Sequence, residues 1–384
     1  MLVQRLWLRD FRSYVSAELP LSDGLTVVQG RNGAGKTNLL EAVGYLASLR
    51  SFRGAPNEAM VRTGTSRAIV RGEAIVERRD VLLEAEIAPT GRGRTLVNKQ
   101  PLRRARDLLG VLRVSVFSPE DLILVKGGPG ERRGWLDEAL VALHPRHAQT
   151  LDELDRVLRQ RNALLKQVGG RLDDSAALTL DVWDTKLAEA GSVLVSARTA
   201  LTARLAPLLG LAYADIAEAP LGIGVDYSSA WWNGPGGLAG ALERGRRDDV
   251  RRGLSLVGPH RDDISLTVDT RPSRTHASQG EQRTLALAMR LAVHRLVAEE
   301  LGWSPVLLLD DVFSELDPLR SAALVRHLPA GQALLATAAD VPLGISVAAV
   351  LDVELLAGAS TARPRTLGDK SVDSVDEIAQ ERAR

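Results

Sequence analysis

The segment GRNGAGKT, residues 30–37, restricts the fold of this chain more than any other stretch of the sequence. The apolar run GLTVVQG precedes it and is typical of a strand, and TNLLEAVGYL follows it and is typical of a helix. Gly30 and Gly35 stand five positions apart and are followed at once by Lys36 and Thr37. A strand, a glycine-rich turn and a helix in this order predict a loop at the carboxyl edge of an α/β sheet.

This loop predicts a site for the phosphates of ATP and for Mg²⁺. Glycines allow backbone N–H groups to wrap the phosphates, Lys36 reaches the β and γ oxygens, and Thr37 binds the metal. Lysine is a selective choice here, because only six of the 49 basic residues are lysines. The alternative is a glycine-rich turn that only starts a helix. The predicted ATP-binding residues are Gly30, Arg31, Asn32, Gly33, Ala34, Gly35, Lys36 and Thr37.

The segment PVLLLDDVFSELD, residues 305–317, predicts a second part of this site. Asp310 follows four apolar residues and is the expected Mg²⁺ ligand, since a buried strand that ends in a carboxylate presents it at the sheet edge. Asp311 then stands where a second acid polarises the attacking water, so Lys36 and Asp311 are expected to be catalytic. A solvated turn after a buried strand is the alternative reading.

A third nucleotide-type element is SQGEQ, residues 278–282, which only Arg283 separates from the apolar-periodic stretch TLALAMRLAVHRL. Ser278 and the Gly280 backbone are therefore predicted at a helix N-terminus, which attracts anions. Ser278 followed three residues later by Glu281 is also a capping box, which is the purely structural alternative.

Taken in chain order, GRNGAGKT, SQGEQ, LLLDD and SELD resemble the Walker A, signature, Walker B and D-loop motifs of ABC-type ATPases. The resemblance implies an α/β P-loop NTPase head with an inserted helical-hairpin arm. It also implies a homodimer that forms on ATP binding, in which the signature of one subunit closes over the ATP of the other. The residues implied for the signature are Ser278, Gln279, Gly280, Glu281 and Gln282, and those for the D-loop are Ser314, Glu315 and Asp317.

Three further segments, SPEDLILVKGGPGERRGWLD at 118–137, GPHRDD at 258–263 and LRSFRG at 49–54, are similar to motifs of the bacterial RecF family. The resemblance covers about residues 1 to 355. It implies DNA binding in recombinational repair and replication restart at single-strand gaps, recombinase loading, SOS induction and mediators of the RecO and RecR type. Glu120 is implied as a catalytic stand-in for the Q-loop glutamine of ABC proteins.

One departure from the ABC pattern predicts slow hydrolysis, and together with the RecF resemblance it implies a weak, DNA-dependent ATPase. Transporter ATPases place a histidine after the strand that follows Walker B, whereas GQALLATAAD offers Thr337. Two alternatives to a slow ATP-driven clamp stay open. One is a non-hydrolytic, ATP-loaded scaffold for mediators, and the other is a transporter's ATPase subunit. The helical hairpin argues against the transporter.

Helical periodicity between two strand-rich regions predicts the domain organisation. Residues 1–133 are predicted to form the first part of the head, 134–212 the arm and 213–357 the second part of the head. Residues 358–384 are polar and predict a disordered tail. The chain has no cysteine, no apolar run long enough to span a bilayer and charges at its start, so a cytoplasmic protein is expected.

Residues 1–133 carry 22 Lys and Arg against 14 Asp and Glu, a net charge of +8 that permits binding to nucleic acid. Solvated surface arginines are the alternative for each candidate. Arg132 and Arg133 are read either as phosphate contacts or as caps of the arm's first helix. His260 and Arg261 are read either as nucleotide or partner contacts or as parts of a turn. The candidate DNA-binding residues are Arg50, Arg53, Arg92, Arg94, Arg103, Arg104 and Arg106.

Overall fold

The computed structural model describes residues 1–91, 93–218, 221–341 and 344–365. The strands are β1 Leu2–Phe11, β2 Tyr14–Pro20, β3 Leu25–Gln29, β4 Ala68–Val76, β5 Arg79–Ile87, β6 Arg94–Val97, β7 Gln100–Pro101, β8 Val114–Phe117, β9 Ile223–Ser228, β10 Asp263–Val268, β11 Arg271–Pro272, β12 Val306–Asp310, β13 Ala333–Thr337, β14 Val347–Leu356 and β15 Ala359–Arg365. The helices are α1 Lys36–Ser48, α2 Asn57–Met60, α3 Ile123–Lys126, α4 Pro129–Leu143, α5 His147–Gln167, α6 Asp174–Ala217, α7 Gly237–Arg252, α8 Ser273–His276, α9 Gln279–Leu301 and α10 Pro318–Arg326.

These elements divide into two compact units. Unit 1 consists of the described residues of Met1–Leu108, Val306–Glu315 and Ala330–Arg384. Unit 2 consists of the described residues of Leu109–Pro305 and Leu316–Pro329.

The core of unit 1 is a sheet whose strands follow one another in the order β7-β6-β5-β4-β1-β2-β15-β14-β3-β13-β12. Strands β14, β3, β13 and β12 are parallel, and β1, β2, β4, β5, β6 and β7 pair as antiparallel neighbours. The runs LTVV, VLLLD and ALLAT of β3, β12 and β13 are buried, as expected of strands covered on both faces. Because these strands are parallel, the residues that follow them lie at one edge of the sheet.

The strand β15 corrects the prediction that a disordered tail begins at residue 358. Residues Ala359–Arg365 pair with β14 in an antiparallel hairpin, and Ser360 pairs with Tyr14 of β2. The turn of this hairpin passes through Ala357 and Gly358, which both have positive φ. The polar residues of β15 are held by neighbouring strands that are distant in sequence. Residues 366–384 lie outside the described residues.

Helices dominate unit 2, where α5 and α6 form the predicted helical hairpin. Pro145 follows the end of α4, which separates α4 from α5 and shortens the first arm helix. The long helix α6 packs against α5, α7 and α9, and a small antiparallel sheet in the order β11-β10-β9 completes the unit. This division differs from the boundaries predicted at 133/134 and 212/213, because the helix that follows SQGEQ packs with the arm helices.

Among the described residues, α6 alone is long and apolar enough to cross a membrane by length and composition. Its leucines at 180, 187, 194, 201, 205 and 209 are buried inside unit 2. A core helix passes the same test of length and composition.

Candidate functional site

The glycine-rich loop joins β3 to α1 in unit 1, as the sequence predicts. The loop takes its shape at Gly35, which has a φ of 110° that only glycine adopts readily. At Gly30 the backbone passes so close to β14 that a Cβ would collide with the carbonyl oxygen of Val353. The first turn of α1 begins at Lys36, so the N–H groups of the loop lie at a helix N-terminus.

Lys36 is buried and folds back over the loop. Its Nζ donates to the carbonyl oxygens of Gly30 at 2.9 Å and Arg31 at 3.1 Å. Burial lowers the pKa of Lys36, and the nearby charges of Asp311 and Asp310 partly oppose this shift. The ammonium group is thus already placed against the loop that would hold the phosphates.

Thr37 and Asp310 meet at the edge of the parallel strands. The Thr37 hydroxyl donates to Oδ1 of Asp310 at 2.8 Å, although the two residues are far apart in sequence. Asp310 is the last residue of β12 and is only 5% exposed. A hydroxyl and a carboxylate oxygen held together are oxygen ligands of the kind that Mg²⁺ prefers, so this pair fits the predicted metal.

Asp311 and Thr337 follow the ends of β12 and β13 at the same edge. Asp311 has a φ of 49°, and its N–H donates to the carbonyl oxygen of Ala336 at 2.9 Å. The backbone therefore turns sharply after Asp310. The Thr337 hydroxyl oxygen accepts from the N–H of Ala339 at 3.1 Å, so it stabilises the turn after β13.

SQGEQ lies in unit 2, where it starts the helix α9. Ser278 is the N-cap: its hydroxyl accepts from the Glu281 N–H at 3.3 Å, and the Glu281 carboxylate accepts from the Ser278 N–H at 2.6 Å. Ser278 and Gln279 are exposed, and Gly280 and Glu281 are half-buried. The capping box is therefore present, and it engages the N–H groups of Ser278 and Glu281 at this exposed helix N-terminus.

Gln282 differs from the other residues of SQGEQ because it is buried. Its amide donates to the carbonyl oxygens of Ser273 and Arg274, each at 3.1 Å. These bonds hold the short helix α8 against the start of α9. Gln282 thus has a structural contact that the sequence did not predict.

The predicted D-loop residues fall into both units. Ser314 and Glu315 belong to unit 1, and Asp317 belongs to unit 2, where it caps α10. Asp317 accepts from the Arg320 N–H at 2.9 Å and forms an ion pair with the guanidinium of Arg320 at 2.6 Å. A Cβ at Gly280 would come within 2.9 Å of this same guanidinium, which is the far end of a flexible side chain and can shift.

Glu120 is exposed and lies in a 3₁₀ turn, Pro119–Leu122, of unit 2. The neighbouring Asp121 is buried, accepts from the Ser118 N–H at 2.9 Å and pairs with Arg290 of α9 at 2.8 Å. Burial raises the pKa of Asp121, and Arg290 partly opposes this shift. Arg290 is a fixed partner of this segment that the sequence reading missed.

The motifs RRGWLD and GPHRDD meet in unit 2 and hold each other. Arg132 pairs with Asp263 at 2.9 Å, and Arg133 donates to the carbonyl oxygen of Asp262 at 2.6 Å. The Asp262 carboxylate accepts from the Tyr227 hydroxyl at 2.7 Å. These contacts favour the reading of both motifs as structural elements that fix the base of the arm.

A second buried cluster ties the arm helices α5, α6 and α7 together. Arg161 is fully buried and pairs with Asp184 at 2.6 Å and Asp249 at 2.7 Å. The His260 Nε2–H donates to the carbonyl oxygen of Ser255 at 3.1 Å, and burial lowers the pKa of His260 to about 4. The sequence offers no signal for these pairs, because the partners come from distant segments.

The candidate DNA-binding arginines belong to unit 1. Arg50, Arg53, Arg94, Arg103 and Arg104 are exposed, and Arg106 is half-buried. Arg92 lies outside the described residues. Exposure is compatible with phosphate contacts and equally with a solvated surface, so their DNA role stays a prediction.

Comparison with known proteins assigns the chain to a family. The sequence model of the family described as RecF/RecN/SMC N terminal domain matches residues 2–334 of this chain. DNA replication and repair protein RecF of Acidothermus cellulolyticus is 43% identical over 358 residues, which cover 90% of this chain and 96% of that protein. RecF of Frankia alni is 45% identical over 363 residues, with 89% and 95% covered.

Solved structures agree with this assignment. The recombination mediator protein RecF with ATP, from the RecFOR pathway, is 27% identical, with a TM-score of 0.85 over 94% of this chain and 97% of that one. The Smc head domain of Pyrococcus furiosus is 16% identical with a TM-score of 0.55 over 100% of both chains, which is a likeness of fold alone. The predicted fold class, an ABC-type ATPase head, is confirmed. The chain therefore belongs to the RecF family of DNA replication and repair proteins.

Proposed function

We propose that this protein is an ATP-dependent DNA-binding protein of recombinational repair, which acts at single-strand gaps. The hydrogen bond between Thr37 and Asp310, 2.8 Å long, carries the ATP part of the proposal, because it joins the glycine-rich loop to the strand-end carboxylate. A similar RecF has been solved with ATP. When bound, Mg²⁺ supplies positive charge to the phosphate oxygens.

Different residues of unit 1 bind the phosphates, hold the metal and orient the attacking water. The loop N–H groups and Lys36 bind the phosphates, and Thr37 and Asp310 hold the metal. Asp311 directly follows the metal ligand and orients the attacking water. Thr337 stands where transporter ATPases have a histidine, so hydrolysis is slow. In unit 2, Glu120 is the proposed counterpart of the Q-loop glutamine.

ATP acts in this proposal as the link between two copies of the chain. Ser278 and Gly280 lie at the exposed N-terminus of α9, whose dipole favours a phosphate. They bind the γ-phosphate held by Lys36 of the other copy, and Ser314, Glu315 and Asp317 are the proposed D-loop. Two ATP molecules then close a dimer on DNA, and hydrolysis releases it.

The DNA and protein partners follow from the relatives and from charge. The basic lobe of residues 1–133, with a net charge of +8, offers arginines to backbone phosphates. The similar solved protein is a recombination mediator of the RecFOR pathway. We propose mediators of the RecO and RecR type as partners, with recombinase loading, replication restart and SOS induction as the processes served in the cytoplasm.

Binding to gapped, single-stranded and double-stranded DNA, each with and without MgATP, tests the proposal. Fluorescence anisotropy of labelled DNA is expected to show binding that MgATP strengthens. The variant Lys36→Met is the control, since it is expected to lose ATP binding and the ATP effect together. ATP-independent DNA binding by both proteins would contradict the proposal.

A scaffold that binds ATP without needing to hydrolyse it is the second candidate. The observation that favours it is the Thr337 hydroxyl, which is engaged in its own turn. The variant Asp311→Asn separates the two candidates. If its hydrolysis stops while a repair-deficient strain is still complemented, turnover is dispensable and the scaffold is correct.

A further inference from the structure

Two carbonyl groups of the glycine-rich loop are held by side chains from β2 and β15. The Ser360 hydroxyl donates to the carbonyl oxygen of Ala34 at 2.6 Å. The Tyr14 hydroxyl donates to the carbonyl oxygen of Gly35 at 3.1 Å. Ser360 is 2% exposed and Tyr14 is fully buried. Both bonds are thus made in the interior, where water does not replace a missing partner.

These bonds fix where the neighbouring N–H groups point. In a trans peptide the C=O and the N–H of the same unit point in opposite directions. Holding the Ala34 carbonyl therefore turns the Gly35 N–H outward, and holding the Gly35 carbonyl does the same for the Lys36 N–H. These N–H groups lie at the start of α1, where no helical acceptor is available to them and where a phosphate binds.

The proton on Ser360 can be assigned by counting donors. Asn38 donates its Nδ2 hydrogen to the Ser13 hydroxyl oxygen at 2.8 Å, and the Ser13 and Ser360 hydroxyl oxygens are 2.7 Å apart. The carbonyl oxygen of Ala34 can only accept a hydrogen bond. The Ser360 hydroxyl therefore donates its one hydrogen to Ala34 O and accepts a hydrogen bond from the Ser13 hydroxyl. The result is a one-way chain from Asn38 through two serines to the loop, whose bonds strengthen one another.

Ser360 is held in place by the backbone as well. Its N–H donates to the carbonyl oxygen of Ser13 at 2.9 Å, and β15 pairs with β2 at this residue. A Cβ at Gly35 would collide with the Ser360 hydroxyl, so this hydroxyl lies directly against the backbone of Gly35. Burial raises the pKa of Tyr14, which keeps its hydroxyl protonated as a donor.

We propose that Ser360, Ser13 and Tyr14 are positioning residues for ATP, which hold the phosphate-binding loop in its binding conformation from behind. The proposal rests on the ATP site proposed above and adds the hairpin of β14 and β15 to it. Any displacement of this hairpin would release the Ala34 carbonyl and weaken nucleotide binding.

Calorimetric titration with MgATP and MgADP tests the proposal on Ser360→Ala and Tyr14→Phe. Ser360→Ala is expected to raise the Kd for both nucleotides by about 5- to 10-fold, because a buried carbonyl loses its donor. Tyr14→Phe is expected to raise it by about 2- to 5-fold, since the Leu39 N–H also donates to Gly35 O at 3.2 Å. Thr361→Ala, which alters the next residue of β15, is the matched control and is expected to leave the Kd for both nucleotides unchanged.

Two readouts separate positioning from general stability. In the ATPase assay KM is expected to rise with the Kd, while kcat stays within about twofold, because Asp310 and Asp311 are unchanged. The double variant Ser13→Ala/Ser360→Ala is expected to bind nearly as well as Ser360→Ala alone, since both residues serve one chain.

The outcomes distinguish this proposal from the proposed function. If the wild-type protein binds MgATP and Ser360→Ala binds it equally well, the positioning role is wrong. If the wild-type protein does not bind MgATP, the ATP site itself is wrong. Should Ser360→Ala fail to fold, Tyr14→Phe decides, because unchanged nucleotide affinity in this variant contradicts the role.

Discussion

The metal site gives the sharpest single prediction, through the substitution Asp310→Asn. In the wild-type protein the Thr37 hydroxyl donates to Oδ1 of Asp310 at 2.8 Å. Asparagine keeps the size of the side chain and an oxygen that can accept this hydrogen bond. It removes one negative charge from a position that is 5% exposed, where charge is weakly screened. The substitution therefore changes the affinity for Mg²⁺ with little change in packing.

The magnitude follows from the loss of one ligand charge. Loss of a side chain that only orients a metal ligand typically costs about 10- to 100-fold in metal affinity, which is about 1.4 to 2.7 kcal/mol, and loss of a direct ligand charge is expected to cost at least as much. We expect the gain in ATP affinity that Mg²⁺ gives to the wild-type protein to fall by at least about 10-fold in Asp310→Asn. Binding of ATP in EDTA is expected to persist, because the loop and Lys36 are unchanged.

Isothermal titration of ATP in Mg²⁺ and in EDTA measures both quantities. Glu84→Gln is the control, because Glu84 is a carboxylate of the same unit that pairs with Arg71 at 2.6 Å on the distant part of the sheet. A full Mg²⁺ effect in Asp310→Asn would refute the assignment of Asp310 as the metal ligand.

Three further predictions concern stability and DNA. Arg161→Met is expected to lower the free energy of unfolding by about 3–5 kcal/mol in urea titrations, because Asp249 stays buried without its partner; a loss below about 1 kcal/mol would contradict this. Burial lowers the pKa of His294 from 6.5 to about 4, so the unfolded chain takes up a proton first and stability falls as the pH drops from 6.5 to 4. His294→Gln is expected to flatten that part of the pH profile of Tm. An unchanged profile would show that His294 is not the group that causes the loss of stability. Arg103→Ala with Arg104→Ala is expected to weaken DNA binding and to lower the slope of log Kd against log salt by about 1–2, whereas an unchanged slope would remove both from the interface.

The sequence predicted the strand, glycine-rich loop and helix around Lys36 and the place of Asp310 at a strand end, because each is specified locally. A strand, a glycine-rich turn and a helix identify Lys36 and Thr37, and an apolar strand that ends in aspartate identifies Asp310. The capping reading of Ser278 was also available from the sequence, since Glu281 follows at the required spacing. In these cases the partners lie within a few residues of each other or follow from the topology of a parallel sheet.

The remaining features depend on partners that are distant along the chain. The run ASTARPR of β15 is polar and contains proline, so it has no strand pattern of its own and is ordered by β2 and β14. The role of Ser360 depends on Ala34, and that of Arg132 on Asp263. Charge patterns indicate that such residues need partners, but they do not identify them.

The central claim is that ATP joins two copies of the chain through Ser278. Light scattering of the wild-type protein is expected to give the monomer mass of 41.3 kDa without nucleotide and twice that mass with MgATP. Ser278→Arg is expected to bind MgATP and to stay monomeric, and Ser175→Arg, an exposed position of α6, is expected to behave like the wild type. A Ser278→Arg protein that binds MgATP and still doubles its mass would contradict the claim.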